Sequence, residues 1–166
     1  MIIMTQEDLA YIAGFLDGDG CIMLQLIYRK DYLLGYQIRA SIIFFQKTNN
    51  RFFLEWLKTL LVNGSVRDRN DGMSEYALVG PGLITDLLEK LSPYLRLKKK
   101  QAVLALSVLN ALPSGREMTP DILLALAEQV DKFAELNYSK KRTNTALKVK
   151  EYLMSNNLIN PVETDS

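Results

Sequence analysis

The residues best suited to chemistry lie in one short run, Tyr11-Ile12-Ala13-Gly14-Phe15-Leu16-Asp17-Gly18-Asp19-Gly20. Asp oxygens and backbone carbonyls are hard ligands. They suit Mg2+, which keeps part of its water shell and bridges phosphates. Taken alone, Asp17-Gly18-Asp19-Gly20 is also an ordinary helix-capping turn, and four residues by themselves favour that reading. The rest of the inventory narrows the chemistry. The 166 residues contain no His and one Cys. Ser-His and Cys-His catalysis, His-ligated zinc and histidine general bases are therefore excluded. Any reaction must run on carboxylates, Lys, Tyr, amides and a hard metal ion.

The run needs a helix to carry it. Thr5 is the expected N-cap, with Asp8 three residues on in a capping-box arrangement, and the two glycines predict a stop near Leu16. Ala10, Ala13, Gly14 and Asp17 recur at i, i+3, i+4 and i+7, a narrow stripe of small residues. Glycine inside a helix costs ~1 kcal/mol against alanine, so close approach of another backbone is expected. Either a copy of the same helix across a two-fold axis or a second helix of this chain satisfies that. With self-pairing, two copies of Asp19 crowd at the helix ends. There they repel each other and the helix dipole, and a divalent cation relieves both.

Strand periodicity follows. From Cys21 to Arg29, Ile22, Leu24, Leu26 and Tyr28 share one face, with Met23, Gln25, Ile27 and Arg29 on the other. From Gly35 to Phe45, Ile38, Ala40, Ile42 and Phe44 are core candidates. A helix over 51–61 capped by Thr48 or Asn49, strands over 65–69 and 75–79 around Asn70-Asp71-Gly72, and a helix over 81–91 complete the pattern. Further helices are expected over 98–112, from Thr119-Pro120 to about Asn137, and over 146–154. The order predicts an α+β fold, a four-stranded antiparallel sheet with helices on one face. Its open face would display Gln25, Arg29, Gln37, Arg39, Arg67, Arg69 and Glu75. Long Arg and Gln side chains on alternate strand positions suit a β-ribbon reading guanine and adenine edges in a major groove. An ordinary solvated sheet face explains the pattern too, and Met23, Ile27, Ile43 and Phe45 fit neither reading well.

Composition limits the remainder. With 48% hydrophobic residues the chain can bury a core, so a single domain over 1–166 is expected, its core about 5–155 and its tail over 156–166 frayed. No apolar run approaches the ~20 residues of a membrane helix, and Met1-Ile2-Ile3-Met4 resembles neither a signal nor a transit peptide. A net charge of +1 does not by itself argue for a polyanionic partner, so a nucleic-acid binder must sort its charges in space.

Tyr11 to Gly20 resembles the LAGLIDADG motif of homing endonucleases. Gln46-Lys47-Thr48, Val66-Arg67-Asp68-Arg69, Pro93 to Lys98, Leu97 to Ala102, Leu112-Pro113-Ser114 and Leu136 to Lys140 are similar, in order, to segments of the single-motif homodimeric branch known from algal organellar introns. The resemblance implies an αββαββα core with C-terminal helices. Its motif helices, through Ala10, Ala13, Gly14 and Asp17, would form a dimer interface, and its saddle-shaped sheets would straddle a long pseudo-palindromic double-stranded DNA site. It implies Asp19 and the Gly18 carbonyl as metal ligands, with Asp19, Gln46 and Lys98 as the catalytic set. The DNA-binding positions would be Gln25, Arg29, Tyr32, Gln37, Arg39, Arg67, Arg69, Glu75, Ser139 and Lys140, with Lys141 and Arg142 also near phosphates. Cleavage across the minor groove with Mg2+, leaving 3′ overhangs, is implied as well. Mn2+ would substitute and Ca2+ would bind without supporting cleavage. No small-molecule substrate or membrane is implied, and the place of action would be chloroplast or mitochondrion. Asn50 stands where relatives often carry Arg, and Arg51 is the candidate replacement. Cys21, at a position often Ser, is expected as a small packing residue with nothing nearby to lower its pKa.

Overall fold

The computed structural model describes residues 3–137 and 142–160. Thr5 opens α1 (Gln6–Asp19) with the expected capping box: Asp8 N–H donates to Thr5 Oγ1 at 3.1 Å, and Thr5 N–H donates to Asp8 Oδ2 at 3.0 Å. The helix does not stop at Leu16. It continues through Asp17-Gly18-Asp19 and ends where Gly20 N–H bonds the Leu16 carbonyl. The two glycines lower helix propensity, but contacts from elsewhere in the chain hold the last turn.

The chain passes directly into β1 (Gly20–Tyr28) and back along β2 (Tyr36–Lys47). A short 3-10 turn over Thr48–Asn50 leads into α2 (Arg51–Leu61). Neither Thr48 nor Asn49 caps that helix; the Thr48 hydroxyl instead donates to Ser74 Oγ at 3.0 Å, whose own proton goes to Asp68. Then come β3 (Ser65–Asp68), β4 (Met73–Val79), α3 (Pro81–Leu91), α4 (Lys99–Ala111), α5 (Pro120–Leu136) and α6 (Ala146–Ser155). The four strands form one antiparallel sheet in the order β1-β2-β4-β3.

Alternation sorts the sheet as the sequence predicts. Ile22, Leu24, Leu26, Ile38, Ala40, Ile42, Phe44, Tyr76 and Leu78 are buried, in one core with Ile12, Leu16, Leu54, Leu57, Ile84 and Leu88 from the helices. Tyr28 alone of the expected core face remains largely exposed; its ring meets Tyr36 and Tyr152 edge-on. Gly35, at φ +80°, lets this corner close, because a Cβ there would lie 2.3 Å from the Tyr152 ring.

Both outer strands are bonded by side chains. On β1, Asn137 Nδ2 donates to the Ile22 carbonyl at 2.8 Å and Asn144 Nδ2 to the Leu26 carbonyl at 2.9 Å. On β3, Arg51 Nη2 donates to the Val66 carbonyl at 3.4 Å. Past α6 the chain does not fray at once as expected: Leu158 N–H bonds the Leu153 carbonyl, and Leu158 and Ile159 pack on the core. The rest of that tail, 161–166, lies outside the described residues.

Candidate active site and sheet face

The end of α1 meets the start of α4. Helix starts leave N–H groups without intrahelical acceptors, and a lysine at the cap position has no acceptor to offer. Lys98 is that residue, and Asp17, 79 to 81 positions away, accepts from its N–H and from those of the two residues before it, so it holds the lead-in to α4. Its Oδ2 takes the N–H of Arg96 at 2.9 Å and of Leu97 at 3.2 Å, and its Oδ1 takes the N–H of Lys98 at 2.9 Å. In return Lys98 Nζ donates to the Asp17 carbonyl at 2.6 Å. Partial burial pushes the Asp17 carboxyl up, but the three backbone N–H groups and the Lys98 charge outweigh it, so its pKa lies below the ordinary value.

Gly18 and Asp19 form the exposed tip of the same turn, and Asp19 makes no ion pair among the described residues. A free carboxylate beside last-turn carbonyls is a donor set that fits a hard divalent ion. No three His, Cys, Asp or Glu side chains cluster among the described residues.

Gln46 stands at the same end of the sheet, two residues past Phe44, which pairs with Gly20. Its Oε1 accepts from Lys47 N–H at 3.0 Å and from Asn50 Nδ2 at 3.4 Å. A backbone N–H can only donate, so the amide orientation is set and Nε2 is the free end. Arg51, the expected replacement for an arginine at position 50, is engaged within the chain. Its guanidinium bonds Asp68 at 2.6 Å and Glu55 at 3.1 Å, and Ser74 Oγ donates to the same Asp68 oxygen at 2.6 Å. Cys21 opens β1 and lines an 850 Å3 cleft with Lys98, Gln101 and Glu135. Burial raises its thiol pKa against a smaller downward pull from Lys98, which is near it after all.

The open face carries the expected polar rows. Gln25 lies opposite Arg39, and Arg67 opposite Glu75. Arg67 is 72% exposed and ion-paired with Glu75, which is 9% exposed. At the β1–β2 end Arg29 bonds Asp31 at 2.9 Å, donates to Gln37 Oε1 at 3.3 Å and lies over the Tyr32 ring. Arg69 pairs with Asp71, whereas Arg39 has no ion pair among the described residues. A 290 Å3 groove bordered by Met23, Gln25, Arg39, Arg67 and Glu75 runs between these rows.

The small-residue stripe needs a correction. Ala13 is fully buried in its own subunit and Asp17 is bonded within it, so the outward face of α1 is Ala10, Gly14 and Gly18. On the helix circumference, at about 100° per residue, Gly14 and Gly18 turn to one side of Ala10 and Ala13 and Asp17 to the other, toward the chain's own core. A Cβ built on Gly14 meets nothing within 4 Å, so close packing inside the chain is not the reason for this glycine.

The model of the family described as LAGLIDADG endonuclease matches residues 12–106. The chain belongs to the LAGLIDADG endonuclease family. It is 45% identical over 148 residues to the DNA endonuclease I-CvuI of Chlorella vulgaris, covering 89% of this chain and 91% of that protein. It is 39% identical over 151 residues to the DNA endonuclease I-CreI of Chlamydomonas reinhardtii, covering 91% of each. A crystal structure of I-CvuI in complex with its target in the presence of Ca superimposes with a TM-score of 0.87 at 43% identity, over 93% of this chain and 98% of that one. A second I-CvuI complex holds the I-CreI target in the presence of Mg with the DNA not cleaved. The fold also matches I-SmaMI, with a TM-score of 0.69 at 19% identity, where 99% of this chain covers 52% of that one.

Within this family fold, Gly18, Asp19 and Lys98 gather on one helix junction, and Gln46 lies at the same sheet end. Gln25, Arg29, Tyr32, Gln37, Arg39, Arg67 and Glu75 share the open face or its turn, with Arg69 just past β3. Ser139, Lys140 and Lys141 lie outside the described residues. Arg142 is half-buried and bonds Asp131 at 2.6 Å, so it is partly occupied within the chain. Sequence reading missed the Asp17 anchor on Arg96 to Lys98, the Asn50 bond to Gln46 and the Arg51-Asp68-Ser74 network. Only the uncapped start of α4 at Lys98 signalled that an outside acceptor was needed.

Proposed function

We propose that this chain acts as a homodimeric, site-specific double-strand DNA endonuclease that uses a divalent metal and cuts a long pseudo-palindromic target. One observation carries the reading. Gly18 and Asp19 lie at the same end of the sheet as Gln46, and Lys98 is bonded to the turn they belong to, at the head of a face lined with Arg and Gln. The kinship to I-CvuI and I-CreI, DNA endonucleases by name, supports it across nine-tenths of the chain. A chain that spans half of I-SmaMI in the same fold makes a second copy the natural completion.

Asp19 and the Gly18 carbonyl would hold the ion, both being hard oxygen donors. An ion held there would supply charge neutralisation at the scissile phosphate and a more acidic water. The Lys98 ammonium stabilises negative charge that develops on the phosphate in the transition state. Gln46 presents its free amide hydrogens to the attacking water, with its oxygen held by Lys47 and Asn50. Arg39, Arg67 and Gln25 read base edges, while Ser139, Lys140 and Lys141 meet phosphates and supply affinity without sequence information. With one set per subunit, both strands are cut, leaving 3′ overhangs. Mn2+ replaces Mg2+ because it takes the same hard oxygen ligands, and Ca2+ binds without supporting the reaction. The place of action is the chloroplast or mitochondrion that encodes the enzyme, in keeping with its algal relatives.

Cleavage selection from a randomised palindromic DNA library, in Mg2+ and in Ca2+, tests the reading. Double-strand cuts at one enriched site of about two helical turns, in Mg2+ only, are expected. Enrichment by binding in both ions without cutting would replace the enzyme with a DNA-binding protein, and no enrichment would remove DNA as the partner.

A further inference from the structure

We infer that Asp17 is a positioning residue for Lys98: its carboxylate seats the start of α4 on the last turn of α1 and so sets the Lys98 ammonium beside Gly18 and Asp19. The inference rests on the endonuclease reading for its consequence and on geometry for its content. Two bonds run in opposite directions between the same two residues. The Asp17 side chain takes the Lys98 backbone N–H, and the Lys98 side chain gives a proton to the Asp17 backbone carbonyl. Lys98 Nζ caps the last turn of α1, while the Asp17 carboxylate anchors the three residues that lead into α4. An anion sits at the start of α4 and a cation at the end of α1, both on the favourable side of the helix dipoles.

The clasp removes the freedom that makes lysine a poor tool for exact placement. Lys98 has a flexible four-carbon stem, and without an anchor its ammonium samples a wide volume. Here both ends of the stem are fixed to one residue, its backbone by the Asp17 carboxylate and its Nζ by the Asp17 carbonyl. Asp17 is thereby engaged by three N–H groups, which leaves metal binding to Asp19 and Gly18. The next two lysines differ: Lys99 Nζ bonds the Ser92 carbonyl, and Lys100 is exposed. Of the three in the basic run, only Lys98 is tied to the turn that ends in Asp19.

The test is a cycle of Asp17→Asn, Lys98→Met and the double variant, with single-turnover cleavage read in Mg2+ and target affinity read in Ca2+. An asparagine keeps one acceptor oxygen but turns an NH2 toward backbone N–H groups, so part of the seat is lost. Misplacement by about an ångström costs on the order of 100-fold in rate, and Asp17→Asn is expected to lower the cleavage rate ~10- to 100-fold with affinity within ~3-fold. In the Lys98→Met background it should change the rate less than ~2-fold, because its effect passes through Lys98. An Asp17→Asn loss that multiplies in full onto Lys98→Met, or that resides in affinity, would make Asp17 merely structural and overturn the inference. Asp17→Ser, whose hydroxyl accepts from a single N–H, serves if Asp17→Asn does not fold, with the same pattern expected.

A second readout needs no cleavage. Reductive methylation followed by mass spectrometry should find Lys98 at least ~5-fold slower than Lys100 in the parent and equal to it in Asp17→Asn. Equal rates in the parent would sink the clasp even in an active nuclease. A protected Lys98 in a protein that cuts no DNA would leave the clasp standing and remove the endonuclease reading instead.

Discussion

Gly14→Leu separates what a helix wants from what a dimer tolerates. Within one subunit the substitution is benign: Gly14 is exposed, and a Cβ built there meets nothing within 4 Å. Leucine is a better helix former than glycine by nearly 1 kcal/mol, so the isolated subunit should gain stability by about that much. Across a two-fold axis the sign reverses. The outward stripe of Ala10, Gly14 and Gly18 permits close backbone approach, and two leucines at its centre must be accommodated at once. Overpacking costs about 1–3 kcal/mol per site, hence roughly 2–6 kcal/mol per dimer. That is a rise of roughly 30- to 30,000-fold in the dimer dissociation constant. Sedimentation equilibrium over a wide concentration range, paired with urea unfolding at concentrations below dissociation, reads both quantities. A variant that stays dimeric at parental affinity while its melting temperature rises would place solvent against Gly14 and refute pairing through this face. A monomer that is itself less stable than the parental monomer would refute the open space around Gly14.

Four further outcomes are expected. Asp19→Asn abolishes cleavage and leaves target affinity within a few-fold, since it removes the metal ligand and no base contact; retained cutting by gel assay would move the ion elsewhere. Arg67→Ala costs ~1–3 kcal/mol, concentrated at one base pair of each half-site, whereas a uniform loss across a mutated-site series would make it a phosphate contact. Asn50→Ala loses one neutral hydrogen bond to Gln46, worth about 0.5–1.5 kcal/mol, and slows single-turnover cleavage roughly 2- to 12-fold at unchanged affinity; an unchanged rate would show that Lys47 N–H alone orients the amide. The Asp68 carboxyl is held below its ordinary value of 3.8 by the Ser74 hydroxyl and Arg51. A depressed folded value means stability that is fully present above the unfolded value of 3.8 and lost as pH falls from there through the lower folded value, so the urea midpoints of parent and Asp68→Asn should converge as pH drops below 3.8. Equal separation at pH 3 and pH 6 would exclude the link.

Local order was legible in the sequence because it depends on neighbours. The capping box at Thr5 and Asp8, the alternation of Ile22, Leu24 and Leu26, and Thr119-Pro120 at the start of α5 each act over a few residues, and each formed as the pattern requires. The stop of α1 was misjudged for a reason of the opposite kind. Gly18 weakens the last turn locally, but Asp17 and Lys98 bind across some 80 positions and hold it, and no periodicity records such a contact. Arg51 illustrates the same limit. Its place next to Asn50 makes it a natural substitute in one dimension, yet in space β3 brings Asp68 and α2 brings Glu55 to claim it. The proposed metal ligands Gly18 and Asp19, and Gln46 and Lys98, were reached through resemblance, because only the sheet register and the helix junction bring them to one end of the molecule.

The side-chain bonds along the outer strands bear on how the protein meets others of its kind. An open strand is a template for any passing chain, and sheets that lie side by side tend to zip into larger ones. Asn137 and Asn144 occupy two outward carbonyls of β1, and Arg51 takes one on β3. Lateral growth of the sheet is thus penalised at both margins. The face proposed for self-recognition is the glycine-bearing side of α1, and an isologous contact there closes on itself after one partner. A nuclease that must present two sheets to two half-sites at a fixed spacing needs that restriction as much as it needs its metal, because a third subunit recruited at a strand margin would turn a defined pair into a filament.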